Sequence, residues 1–224
     1  MLSAFIHSFR LQPILKLTDF GCVESHAFEV LSTPYTSVDS IELFFSSLPT
    51  SLTRGLVNLQ IELFSRMDGV YFINLPCSLL IDEEFIENAF FYNLININLE
   101  ISDPNNLFLL SNKKLNALKI NIKFLQSLGA KVWIDDIDDI DDKYLDIALY
   151  LGVNGVKLDK NFVWNSQLLD DVVCNFRQLG ITVVAEGIEN TTVLMKAINS
   201  RVDLVQGFFW PGINMSLDGS LLKI

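Results

Sequence analysis

From about residue 70 onward the chain alternates between two kinds of segment with a regularity that few folds accept. Short apolar runs, "VYFINL" (70–75), "LININLEI" (94–101), "KVWIDD" (131–136), "NGVKLD" (154–159), "ITVVAEG" (181–187) and "LVQG" (204–207), are rich in Val, Ile and Phe. Such runs predict strands buried on both faces. Longer segments of helical spacing lie between them. In 111–128, Leu115, Leu118, Ile122, Leu125 and Leu128 fall three or four residues apart, the pattern of an amphipathic helix. Segment 165–179 ends before Gly180, and 190–199 opens at Asn190, a capping residue. This alternation predicts an α/β fold of parallel β/α units, and at least six of them predict a closed (β/α)8 TIM-like barrel.

The first third departs from the pattern. "FRLQPILKL" (9–17) and "CVESHAFEVL" (22–31), joined through "TDFG", predict a hairpin, followed by helices over 38–47 and 53–67. No Pro/Gly/Ser-rich linker interrupts the chain, so residues 1–224 are expected to form a single domain.

A formal net charge of −11 disfavours direct nucleic-acid binding, which needs Lys and Arg to neutralise phosphates. A phosphorylated ligand would need metal ions or a local basic pocket. Cys22, Cys77 and Cys174 are scattered without metal-ligand spacing, which predicts reduced thiols in a cytoplasmic protein. His7, Arg10 and Pro13 break the apolar N-terminus, and no run approaches the ~18 apolar residues of a membrane span, so no membrane partner is expected.

The strand-like runs end on Asn74, Glu100, Asp135 with Asp136, Lys157, Glu186 and Gln206. In a β/α barrel these ends share one mouth, the active-site face. One polar residue at a strand end is usually a turn or cap residue. Six ends in succession raise the alternative of an oxygen-rich site for Mg²⁺ or Mn²⁺. The thrice-repeated Ile-Asp-Asp of 134–142 is a poor calcium loop, since no Gly makes the sharp turn and no Glu closes it.

In these motifs the chain resembles the EAL-type cyclic di-GMP phosphodiesterases. "AEGIE" (185–189), "VQGFF" (205–209), "VKLDKNFV" (156–163), "LGAKVWIDD" (128–136) and "LQPI" (11–14) are similar to that family's motifs, in order and at close to its spacing. The resemblance implies a barrel of EAL type with an antiparallel first strand. It implies hydrolysis of one phosphodiester bond with two divalent cations. It puts Asn74, Glu100, Asp135, Asp136 and Glu186 on metal-ligand positions, Lys157 near the attacking water and Gln206 near the metals.

Two departures set the functional expectation. Counted from Pro13, the signature triplet falls on His26-Ala27-Phe28, so that His26 replaces the metal-ligating Glu, and Val30 replaces a substrate arginine. Glu29, three residues from His26, is expected to face away from the site. His26 is either a rim residue or a neutral ligand. Beyond Asp136 the family's glycine-bearing loop is replaced by "IDDIDDKYL" (137–145), read as a rebuilt acidic loop. The metal set and the pair Lys157 and Gln206 are then vestigial, no residue is catalytic, Mg²⁺ or Mn²⁺ binds weakly at best, and cyclic di-GMP binding is disfavoured. Among degenerate members the chain resembles the YdiV-type anti-flagellar regulators. That implies a non-catalytic protein that binds the FlhD subunit of the flagellar master activator and represses motility. The alternatives are a weak phosphodiesterase and a cyclic di-GMP receptor. In "GFFWPGI" (207–213), Phe208, Phe209 and Trp210 either pack under the rim or present Trp210 as an exposed anchor.

Overall fold

Alternation of inward and outward side chains along two long strands makes the opening hairpin. β1 (Ile6–Leu17) and β2 (Val23–Pro34) pair antiparallel in the computed structural model, which describes residues 5–18, 23–35, 40–89, 91–139 and 141–222. The turn "TDFG" and Cys22 fall largely outside the described residues. β3 (Tyr71–Leu75), β4 (Ile97–Ile101), β5 (Lys131–Ile137), β6 (Gly155–Leu158), β7 (Thr182–Ala185) and β8 (Leu204–Gln206) then follow β2 in parallel, each beside the one before. β1 also pairs antiparallel with β8, Ile14 opposite Gln206, which closes β1 to β8 into a barrel with one reversed strand. β9 (Ile213–Ser216) continues along β1 from Ser8 to Leu11.

Helices cover the outer wall. α1 (Ile41–Ser46) and α2 (Thr50–Phe64) precede β3, and α3 (Cys77–Leu80) and α4 (Glu83–Ala89) follow it. A 3-10 turn at Pro104–Leu109 leads into α5 (Asn112–Ser127), which buries Leu118, Ile122 and Leu125 as their spacing requires. Next come α6 (Asp142–Leu151), α7 (Lys160–Asn165), α8 (Leu169–Gln178) and α9 (Thr191–Asn199), the last capped by the Asn190 side chain. Among the described residues, no helix is long and apolar enough to cross a membrane.

The barrel is not hollow. Ile14, Ala27, Phe72, Trp133, Val184 and Leu204 form an apolar plug inside it. Trp133 fills the centre because residue 155 is glycine: a Cβ there would lie 2.0 Å from the indole Cζ3. The indole N–H donates to Asn98 Oδ1 at 2.9 Å, so its one polar atom is satisfied.

The structure shortens the acidic loop read over 137–145: exposed Asp138 and Asp139 and the capping Asp141 lie between β5 and α6, while the two ends belong to those elements. Asp135 and Asp136 end β5, and Ile137 is buried. Asp141 caps α6, its Oδ1 accepting from the Lys143 N–H at 3.0 Å, and Asp142 lies in the first turn. Carboxylates there complement the positive end of the helix dipole. The repeat is thus a strand end, a short exposed acidic turn and a helix start that share a composition.

Candidate two-cation site at the barrel mouth

The inner face of β2 carries the residue that spacing alone misplaced. Ile14 pairs with Ala27 but Leu15 pairs with Ser25, so His26 is the extra residue of a β-bulge. Ala27 lies in the inner plug. Two residues on, Glu29 therefore points into the barrel as well. Its side chain is buried at the mouth, where Oε1 accepts from Asn74 Nδ2 at 2.9 Å and Oε2 accepts from Gln206 Nε2.

Glu29 thus occupies the place assigned to His26, and the triplet standing there is Glu29-Val30-Leu31. His26 is exposed near the far end of the barrel. Partial burial, then Lys131 and Lys16, hold its pKa below the usual histidine value, and Lys131 opens β5 at the end opposite Asp135. Phe28 faces outward, its ring stacked at 6.4 Å on Tyr71. Val30 is an outward core residue, so it does not line the barrel mouth. By the resemblance, a triplet at Glu29-Val30-Leu31 would move the expected arginine position from Val30 to exposed Thr33.

The other predicted residues converge. Lys157, from β6, is fully buried with Nζ 2.7 Å from Glu186 Oε1, 2.9 Å from Glu100 Oε1, 3.1 Å from Asp135 Oδ1 and 3.4 Å from Glu29 Oε2. Asp136 has φ 53, a left-handed backbone, and the β5–β6 register slips between Ile134 and Ile137. This breaks the strand's two-residue alternation and lets two consecutive aspartates serve one site. Carboxylate oxygens of Glu29, Glu100 and Asp135 lie within 4.8 Å of one another, and so do those of Asp135, Asp136 and Glu186. The two groups share Asp135.

One ammonium cannot neutralise this many acids, and protonation adjusts. Burial alone would lower the Lys157 pKa, but Asp135, then Glu100, Glu186 and Glu29, outweigh it and hold the ammonium well above the usual lysine range. Burial would raise the Glu29 pKa, yet the Lys157 charge and the bonds from Gln206 and Asn74 hold it low, so Glu29 stays ionised. Burial pushes Glu100 well up, and it raises Asp135 with less relief from Lys157 than burial costs. Burial, partly opposed by Lys157, pushes Glu186 up to about 8. Asp136 keeps exposed surface, yet desolvation of its carboxyl and then the Asp135 charge push it up to about 7. Among the described residues, Glu100 Oε2 has no hydrogen-bond donor and Oε1 meets only the Lys157 ammonium. Buried carboxylates crowded together around a single ammonium, with more negative charge than it neutralises, fit hard divalent cations such as Mg²⁺ or Mn²⁺.

The aromatic segment behaves otherwise than expected of an exposed Trp210. Trp210 is half-buried against the core, while Phe208 and Phe209 are exposed at 64% and 41%.

The family model described as "EAL domain" matches residues 37–211, a span that begins after β2 and leaves Glu29 outside it. No curated protein matches the chain. Its fold is similar to an EAL domain protein from Listeria monocytogenes EGD-e, at 19% identity and TM-score 0.73 over 91% of this chain and 87% of that one. It is similar to the Xanthomonas citri FimX EAL domain in complex with c-diGMP, at 14% identity and TM-score 0.75 over 94% and 88%. It is also similar to the Bacillus subtilis YkuI protein in complex with c-di-GMP and calcium, at 21% identity and TM-score 0.69 over 90% and 54%.

Proposed function

Because the chain belongs to the EAL domain family, we propose that its barrel mouth holds two divalent cations and hydrolyses one phosphodiester bond of cyclic di-GMP. The observation that carries this reading is Glu29, which completes an acidic set that spacing had left one anion short. The expectation of a non-catalytic domain rested on His26, Val30 and the 137–145 stretch; neither His26 nor Val30 faces the site, and Asp135 and Asp136 just before that stretch both join the acidic groups. Glu29, Glu100 and Asp135 would hold one cation, and Asp135, Asp136 and Glu186 the other. Divalent cations in such a site neutralise charge that builds on the phosphodiester and make water easier to deprotonate.

The chain's own residues do the rest. Asn74 and Gln206 fix the Glu29 carboxylate by donating to its two oxygens. Lys157 stays protonated and aims its N–H groups at the centre of the acids, where they serve to orient water or a phosphate oxygen. In the overall reaction water adds to phosphorus, the bond to one ribose oxygen breaks, and that oxygen takes the proton. The product is the linear dinucleotide.

The test is incubation of the protein with cyclic di-GMP and Mg²⁺ or Mn²⁺. Linear dinucleotide should accumulate with the native chain and not with Glu29→Gln. No product from the native chain, with no binding in calorimetry, refutes the reading.

A second reading keeps the barrel as a docking surface for a protein such as FlhD. It is favoured by exposed Phe208 and Phe209 and by Thr33 in place of a phosphate-binding arginine. Co-purification with FlhD that survives Glu29→Gln would support it, and failure to co-purify would remove it.

A further inference from the structure

Toward the mouth, the inner face of β1 presents Ile14, Gln12 and then Arg10. Ile14 belongs to the inner plug, Gln12 pairs with Glu29, and Arg10 pairs with Leu31. Partners across an antiparallel ladder share a face. Arg10 therefore sits on the same wall as Glu29, one two-residue step of about 6–7 Å nearer the opening. Thr33 is its diagonal neighbour, since the next pair along is Ser8 with Thr33.

The loop after β8 holds this side chain from two sides. The Arg10 guanidinium carbon lies 5.3 Å from the centre of the Phe208 ring. A Cβ at Gly212 would come within 2.9 Å of Arg10 Nε, so the backbone there lies flush against the arginine stem. Phe208 follows Gln206, which donates to Glu29, so one short segment orients both the acid and the cation.

Arg10 is unlike the chain's paired arginines. Arg54 pairs with Asp82 and Glu84, Arg66 with Glu62, and Arg177 with Asp203. Among the described residues, the guanidinium of half-buried Arg10 makes no hydrogen bond and no ion pair, although acidic residues outnumber basic ones 27 to 16. A planar fork of N–H donors, backed by an aromatic ring and lacking an anion, matches a phosphodiester's two non-bridging oxygens.

We propose that Arg10, braced by Phe208 and the Gly212 backbone, is the phosphate-binding residue of this mouth. It clasps a phosphodiester of the bound cyclic dinucleotide and does the work of the arginine that Thr33 lacks. This rests on the cyclic di-GMP reading above.

Calorimetric titration of the full chain with cyclic di-GMP, and steady-state turnover with Mn²⁺, test it in the native protein, Arg10→Gln, Arg10→Lys and Phe208→Leu. Arg10→Gln should weaken Kd and KM by about 10- to 100-fold, the loss of a charge-assisted pair, with a smaller effect on kcat. Arg10→Lys should recover part of the loss, and Phe208→Leu should fall between. Mn²⁺ affinity and melting temperature should be unchanged in Arg10→Gln. Native binding with Arg10→Gln within twofold of it overturns the inference and leaves the function reading standing. An equal loss of affinity for guanosine, which has no phosphate, also overturns it. A native chain that neither binds nor cleaves cyclic di-GMP removes both.

Discussion

Replacing Lys157 by Met removes the single ammonium from the acidic mouth while keeping its length and apolar stem. At an effective dielectric constant of about 20, each of its four contacts, at 2.7 to 3.4 Å, attracts by about 5–6 kcal/mol. Each carboxylate pair closer than 4.8 Å repels by about 3.5 kcal/mol or more. Repulsion is left unopposed in the variant, and breaking a buried ionic cluster in this way costs about 3–5 kcal/mol.

The acids can escape part of that cost by taking up protons, which fixes the pH dependence. Carboxyls whose folded pKa lies above the unfolded value bind more protons when folded, so stability falls as pH rises between the two values. In the native chain that window runs from the ordinary carboxyl range to about 7 for Asp136 and about 8 for Glu186. Lys157 lowers the pKa of Glu29, Glu100, Asp135 and Glu186, so its loss raises them and steepens the slope. Thermal unfolding in EDTA should show Lys157→Met melting lower by roughly 6–20 °C near pH 8.5. The deficit should shrink near pH 5.5, and saturating Mn²⁺ should reduce it near pH 8.5 through preferential binding to the folded state. An equal deficit at both pH values, unmoved by Mn²⁺, would refute the electrostatic argument.

Three further outcomes follow from the geometry. Glu29→Gln should lower turnover by more than about 100-fold, since it removes a first ligand rather than its support, whereas His26→Gln should stay within about twofold; steady-state assays with Mn²⁺ decide, and the reverse ranking would restore His26 to the site. Gly155→Ala puts a methyl 2.0 Å from the Trp133 ring and should cost at least about 1–3 kcal/mol by overpacking, read as a lower urea midpoint; an unchanged midpoint would mean the ring has room to move. The buried Cys77 thiol, whose pKa burial and then Asp103 raise, should resist alkylation in the folded chain while exposed Cys174 reacts; mass mapping of labelled peptides reads both.

Much of the barrel was legible because its signal is periodic. Leu118, Ile122 and Leu125 had to share one helix face, and strands buried on both sides had to be apolar throughout. The strand ends Asn74, Glu100, Asp135, Lys157 and Gln206 were legible for the same reason, as breaks in apolar runs. Glu29 was not, because nothing in the letters marks a bulge: the extra residue at His26 shifts what counting from Pro13 assigns to the inner face. The only available cue was the triplet Glu29-Val30-Leu31 itself, two residues beyond inward Ala27. Helix α6 was hidden by composition, because Asp141 and Asp142 serve its start while looking like more of the acid that ends β5. Arg10 gave no sequence signal at all, since its lack of an ionic partner among the described residues is a property of the folded mouth.

The hairpin's place in the barrel has a consequence for how the chain matures. Glu29 meets Lys157 across 128 residues of sequence and Gln206 across 177. Closing loops of that length carries an entropy cost before any contact compensates for it, and such pairings form slowly. With β8 undocked from β1, Glu29 would lack Gln206, and Arg10 would lack Phe208. That would leave an open, acidic trough with no assembled mouth. The mouth is complete only where β8 meets β1, so a ligand that spans β1, β2 and β8 would act as a latch on that seam. It should slow the seam's reopening more than any other unfolding event in the molecule.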